Sequence, residues 1–237
     1  MRLSLLVSWV CFVPILSAQS FTFDWDSVSW GSGTTSNTFN DVDGSGVDVT
    51  ISISGGSFLA GFPQITQNQT GGLSPAQDAL ELFINESASG NGLTLTMTFS
   101  EEIENLSLTL FDVDTGPGGF FSPTFRDQVT FAETPTTFSD SAANFVSGAS
   151  AFGISENVPT SAGGNVSASF SAPRTSLQFF YGAGPFTQTN PAQQAISLYD
   201  FTFEVTPVVP EPGTWIAGGT LVAACAIYSL RRRKRRA

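Results

Sequence analysis

Leu93-Thr94-Leu95-Thr96-Met97-Thr98-Phe99 is followed, after Ser100-Glu101-Glu102-Ile103-Glu104-Asn105, by Leu106-Ser107-Leu108-Thr109-Leu110-Phe111. In both halves apolar and hydroxyl side chains alternate. A period of two places one set on each face of a β-strand and does not fit a helical stripe of period 3.6. The polar segment 101–105 reads as a tight connection, so the two halves predict a hairpin. The same alternation recurs outward in both directions, in Phe21/Phe23/Trp25, Val47 to Ile53, Val129/Phe131, Val166 to Phe170, Leu177 to Tyr181, Ile196/Leu198 and Phe201 to Val205. That makes about eight to ten short strands. Turn signals such as Gly55-Gly56, Gly71-Gly72, Gly116-Pro117-Gly118-Gly119 and Gly182-Ala183-Gly184-Pro185 separate them. The expected fold is all-β, an antiparallel β-sandwich of jelly-roll type. One stretch, Ser74 to Leu82, permits a helix with Ser74 as cap and Pro75 at the first helical position. Leu80 to Ile84 also reads as a strand.

The two ends carry membrane signals. Residues 1–18 read as a signal peptide, with Met1-Arg2 as the positive start, Leu3 to Leu16 as the apolar run and a signal-peptidase cut after Ala18. Residues 19–206 form the extracytoplasmic domain, and 207–212 a linker containing Pro210-Glu211-Pro212. Residues 213–230 carry no charge and read as one transmembrane helix, about 27 Å long. Residues 231–237 then form a basic cytoplasmic tail. Its Arg231, Arg232, Arg233, Lys234, Arg235 and Arg236 stay inside by the positive-inside rule.

Charge is segregated in the same way. Apart from Arg2 and the tail, the basic residues are Arg126 and Arg174, set against all 20 acidic residues, a formal charge of 2 − 20 = −18. Such a surface repels nucleic acid, which is therefore no expected partner. There is no His, so the commonest general base and transition-metal ligand is missing. Cys11 and Cys225 both fall in the apolar end segments, so the domain between them has no disulfide.

Val209-Pro210-Glu211-Pro212, the apolar run and the terminal basic cluster together resemble the PEP-CTERM sorting signal of exported bacterial proteins. The resemblance implies an exosortase as processing partner, acting near the Pro-Glu-Pro triad. It also implies inner-membrane anchoring followed by release to the cell surface or matrix, and a link to exopolysaccharide and biofilm. The body is loosely similar to a β-sandwich module of such proteins, through Leu106 to Asp114, Asp127 to Phe131 and Ile196 to Phe203. That similarity implies no activity.

Chemistry is sparse. Asp112 and Asp114, one residue apart at a strand end, point the same way. Asp127 and Asp200 are expected to join them as an oxygen cluster for calcium. The alternative is that they cap turns or pair with Arg126. Asp41-Val42-Asp43-Gly44-Ser45-Gly46 matches the first half of a calcium loop but lacks its final Glu, and reads as a turn into a strand. The row Thr94, Thr96, Thr98, with Ser107 and Thr109 beside it, spans one or two strands, an array too small to order water at an ice surface. Glu101, Glu102 and Glu104 lie in a polar turn that does not raise a carboxyl pKa by burial, so no enzyme is expected. Among the aromatics Trp25, Trp30, Phe120, Phe121, Phe186 and Tyr199, most belong in the core. Phe120-Phe121 in a Gly/Pro loop has nothing local to bury it and is the candidate ligand contact. The functional expectation is a surface or matrix-associated binding protein, with a secreted carbohydrate-active enzyme or a structural coat component as alternatives.

Overall fold

The structure is a computed structural model that describes residues 18–119 and 121–205. Thirteen strands occupy the span Gln19–Val205. They are β1 (Gln19–Phe23), β2 (Ser36–Phe39), β3 (Val49–Gly55), β4 (Gln64–Thr66), β5 (Ala79–Ile84), β6 (Gly92–Phe111) and β7 (Asp127–Phe131), then β8 (Thr137–Ser139), β9 (Asn144–Ser147), β10 (Ser150–Gly153), β11 (Val166–Phe170), β12 (Arg174–Ala183) and β13 (Gln194–Val205). Every pairing between these strands is antiparallel. The fold is all-β, as expected.

The hairpin does not form. The two halves of the alternating stretch are one strand, β6, of 20 residues. Leu93 to Phe99 pair with β3 and Gly92 to Thr98 with β12, whereas the span from Glu104 to Phe111 pairs with β13 and Leu106 to Leu110 with β11. The strand thus leaves one sheet and enters the other. At the corner the inward set changes phase: Leu93, Leu95, Met97, Phe99 and Ile103 are buried at odd positions, Leu106, Leu108 and Leu110 at even ones. One extra residue absorbs the change, as in a bulge. Asn105 sits there with φ 50°, a left-handed conformation that Asn tolerates better than most residues, and its Nδ2 donates to Glu204 Oε2 at 2.8 Å. Segment 101–105 is a bend between sheets, and its polarity reflects exposure at that bend.

The first sheet runs β4-β5-β13-β6-β11-β8, with β1 beside β5 on the same edge of β13; the second runs β2-β3-β6-β12-β7-β10-β9. Their inner faces enclose one core. Aromatic rings join the sheets: Phe99 to Phe203 at 5.8 Å, Phe23 to Phe39 at 4.8 Å and Phe131 to Phe170 at 5.2 Å. Each buried ring contributes about 1.5–3 kcal/mol, which supplies stability to a domain without disulfides.

Two local expectations change. No helix forms at Ser74 to Leu82, because Ala79–Ile84 is β5, paired with β13 and buried at five of its six positions. A strand covered on both sides reads as a continuous apolar run, and periodicity alone does not separate that from a helix. Trp25 leaves the first strand for a 3-10 turn at Trp25–Ser27 but stays fully buried. The turn at Asp41–Gly46 leads toward β3 as read. Asp41 Oδ1 accepts from Gly46 N at 2.7 Å and Asp43 Oδ2 from Thr22 N at 3.0 Å.

Candidate functional site

Two loops meet where β6 and β12 end and β7 and β13 begin. The first follows β6 from Asp112 to Arg126, the second follows β12 from Gly184 to Gln193. Ala183 pairs with Asp127, which sets the loop bases side by side. The loops are then fastened together: Gly184 N donates to Arg126 O at 2.7 Å, Ala192 N to Thr124 O at 2.8 Å, and Gln188 Nε2 to Ser122 O at 3.1 Å.

Phe121 and Phe186 stand at this end with 79% and 59% of their surface exposed. Their centroids are 6.4 Å apart in an edge-to-face arrangement. Phe186 adopts φ 65°, a conformation disfavoured for a bulky residue. Loop hydrogen bonds and the Arg126 guanidinium, 5.7 Å from its ring, hold it in place. Beside the second loop lies a cleft of about 520 Å³ lined by Asn85, Thr124, Gln188, Asn190 and Gln193. Among the described residues its lining has no charged side chain. Side-chain amides both donate and accept, so such a cleft suits a neutral ligand rich in hydroxyl groups.

Under the loops sit Asp112, Asp114 and Asp127, 8%, 4% and 0% exposed. The structure brings these three together as read. Asp112 Oδ2 accepts from Gln69 Nε2 at 3.0 Å, and its Oδ1 is buried without a hydrogen-bond partner. Asp114 Oδ2 accepts from Asn157 N at 2.7 Å. Asp127 accepts from Asp114 N at 3.1 Å, Tyr181 Oη at 3.1 Å and Gln194 Nε2 at 3.0 Å. Burial, with the charge of Glu81 adding to it, pushes Asp112 up to about 6, and burial with repulsion from neighbouring carboxylates, Asp112 first, pushes Asp114 up to about 8. The same causes hold Asp127 well above the ordinary carboxylate range.

Asp200 does not join them. Its carboxylate accepts from Trp25 N at 3.0 Å, and its charged neighbours are Asp24 and Asp26. Among the described residues no group of three or more His, Cys, Asp or Glu side chains is arranged to hold a metal ion. The oxygens of Asp112, Asp114 and Asp127 are instead turned largely toward internal donors. Arg126 lies over Phe186, with burial lowering its pKa.

Of the aromatic candidates, Trp25 and Trp30 are core, and Tyr199 stacks on Phe111 at 4.8 Å. Phe121 and Phe186 are the exposed pair. The amide-lined cleft was not anticipated. Its signal was the run Gln188 to Gln194, unusually rich in Asn and Gln for a turn. A second cleft of about 390 Å³ contains Asp24, Asp41 and Asp43, whose carboxylates are occupied by backbone N–H groups. Phe120, Pro210, Glu211, Pro212, the cluster Arg231 to Arg236 and the apolar segments at both ends lie outside the described residues. Among the described residues no helix is long and apolar enough to cross a membrane.

No protein-family model and no curated protein matches the sequence. Among solved structures, the K2 cleaved adhesin domain of Lys-gingipain (Kgp) is similar over 78% of this chain and 99% of that chain, at 13% sequence identity and a TM-score of 0.31. Nothing about activity transfers at that level of likeness.

Proposed function

We propose that this chain is an exported, jelly-roll-type β-sandwich binding protein that retains polysaccharide at a bacterial surface or matrix, without turnover. The observation that carries the reading is the exposed Phe121–Phe186 pair beside an uncharged, amide-lined cleft. Exposed apolar side chains that adjoin one another, unlike single scattered ones, mark interaction sites. A sugar ring offers an apolar face to such rings and hydroxyl groups to the amides. Replacing both rings, F121S together with F186S, is expected to weaken binding of neutral hexasaccharides about tenfold or more, since two hot-spot aromatics carry over 1 kcal/mol. Calorimetric titration measures this. Unchanged affinity in the double variant would defeat the reading, as would release of reducing sugar by the native chain.

Export and sorting belong to the same proposal. The sequence supports cleavage after Ala18, temporary anchoring by residues 213–230 and exosortase processing near Pro210-Glu211-Pro212. Mass spectrometry of the surface-released protein is expected to show a chain lacking Arg231 to Arg236. Recovery of a full-length cytoplasmic chain would contradict it.

A further inference from the structure

We propose that the outward side of the second sheet is a platform for an extended, neutral, hydroxyl-rich polysaccharide. The surface is distinct from the loop-end cleft and is built from other residues.

Cross-strand register assembles the surface. Thr38, Thr50, Thr98 and Ser176 lie in one row across β2, β3, β6 and β12. Ser54, Thr94, Phe180, Thr130, Ser150 and Ser147 lie in another, across β3, β6, β12, β7, β10 and β9. These residues point outward because their chain neighbours, such as Leu93, Leu95, Phe179, Tyr181, Val129 and Phe131, are core. The Thr94-Thr96-Thr98 row is therefore part of a seven-strand face and larger than the sequence alone implied. Ser107 and Thr109 belong to the other sheet.

Charge is confined to one corner of this face, where Glu101 and Glu102 are exposed at the end of the second-sheet half of β6. Among the described residues, the outward positions over the rest of its seven strands hold Ser, Thr, Gln, Gly and Phe. On the first sheet Glu204 lies at a part-exposed position of β13, and Glu81 of β5 is buried against Thr66 and Asn68. The rows away from that corner carry no carboxylate and escape the cost of stripping water from one on docking. The remaining negative charge repels a polyanion but not a neutral chain.

The chemistry of the face matches a sugar polymer. Phe145 and Phe152 stack at 5.4 Å, and Phe180 lies across the paired Gly92 and Gly182, so three apolar rings interrupt the polar grid. Thr38 and Thr50 pair at 2.8 Å, Thr130 and Ser150 at 2.9 Å, and Gln178 Nε2 donates to Thr96 Oγ1 at 3.1 Å. Each hydroxyl keeps further donor or acceptor capacity for a ligand. Strands about 4.8 Å apart, with like-facing residues about 6.8 Å apart along each, repeat these contacts. Many weak contacts favour a long polymer over a short oligosaccharide.

Native gels cast with hydroxyethylcellulose test the inference. The F121S/F186S chain is expected to remain retarded, and T96R in that background to weaken retention about tenfold. Gels cast with alginate are expected to give no retardation. Circular dichroism verifies that T96R is folded, with S52R on the neighbouring strand as its substitute. Loss of retardation in F121S/F186S, no effect of T96R, stronger retention by alginate, or self-association that T96R disperses would each overturn the platform. Hexasaccharide titration, which reads the loop-end site, separates its failure from this one.

Discussion

Replacing Asp114 with asparagine is expected to raise stability at about pH 8 and to flatten its dependence on pH. Asp112, Asp114 and Asp127 are buried together, and burial leads the influences on the ionisation of each. Removal from water is the largest cause of their raised pKa values, and their mutual repulsion adds to it for Asp114 and Asp127. The folded chain therefore keeps protons that the unfolded chain, with carboxyls near 3.8, has released. These groups contribute most below about pH 4, and the contribution is lost as pH rises toward 8. A shift from 3.8 to about 6 at Asp112 corresponds to about 3 kcal/mol at about 1.4 kcal/mol per unit. Asp114 is shifted further, to about 8. The neutral amide ends that cost at position 114 and relieves its neighbours. Urea unfolding at about pH 5 and about pH 8 measures the effect. A native chain that gains stability between those values would contradict the assignment. Calcium extends the test, since a cation held here would stabilise the native chain at the higher pH and leave D114N unchanged.

F131A should cost about 3–5 kcal/mol, a large share of the 5–15 kcal/mol typical of a whole domain. Phe131 is 2% exposed and packs edge-on against Phe138, Phe170 and Phe179, at 5.3, 5.2 and 5.6 Å. Phe179 belongs to its own sheet, Phe170 and Phe138 to or near strands of the other. Truncation leaves a void that both inner faces border, and rigid sheets collapse into it only partly. No disulfide limits the unfolded chain, because no cysteine lies between Gln19 and Val205. Phe131→Leu, which keeps most of the volume, should cost less than half as much. A loss under about 1 kcal/mol for F131A, with the urea slope unchanged, would show that the ring does not join the sheets.

What could be read from the sequence follows from what is local. Alternation identified the inward side chains of β3, β6, β7, β11 and β12 because burial on one face imposes a period of two. It also identified Asp112, Asp114 and Asp127, since residues two apart share a face and Asp127 opens the strand that follows. Pairing is not local, and there the reading failed. Glu101 to Asn105 has the composition of a hairpin turn, and only the partners of each half show it to be a corner. Asp200 follows the same rule. β13 changes register between Leu198 and Phe201, which carries Asp200 away from the cluster and toward Trp25. Phe121 was readable because a Gly/Pro loop cannot bury it, whereas the amide cleft depends on Asn85 from a distant segment. The hydroxyl rows of the second sheet were equally hidden, since they exist only across strands.

β13 begins at Gln194, next to the loop that follows β12, and ends at Val205, paired with Gln19. Its 12 residues span about 40 Å. A pull between a ligand held at the loops and the chain leaving Val205 therefore runs lengthwise along this strand. Its hydrogen bonds to β1, β5 and β6 lie across that direction and share the load together, where a peeling force would open them singly. In the proposed binding role this geometry would meet tension in shear, with a lifetime under drag set by the rate at which β13 slides free.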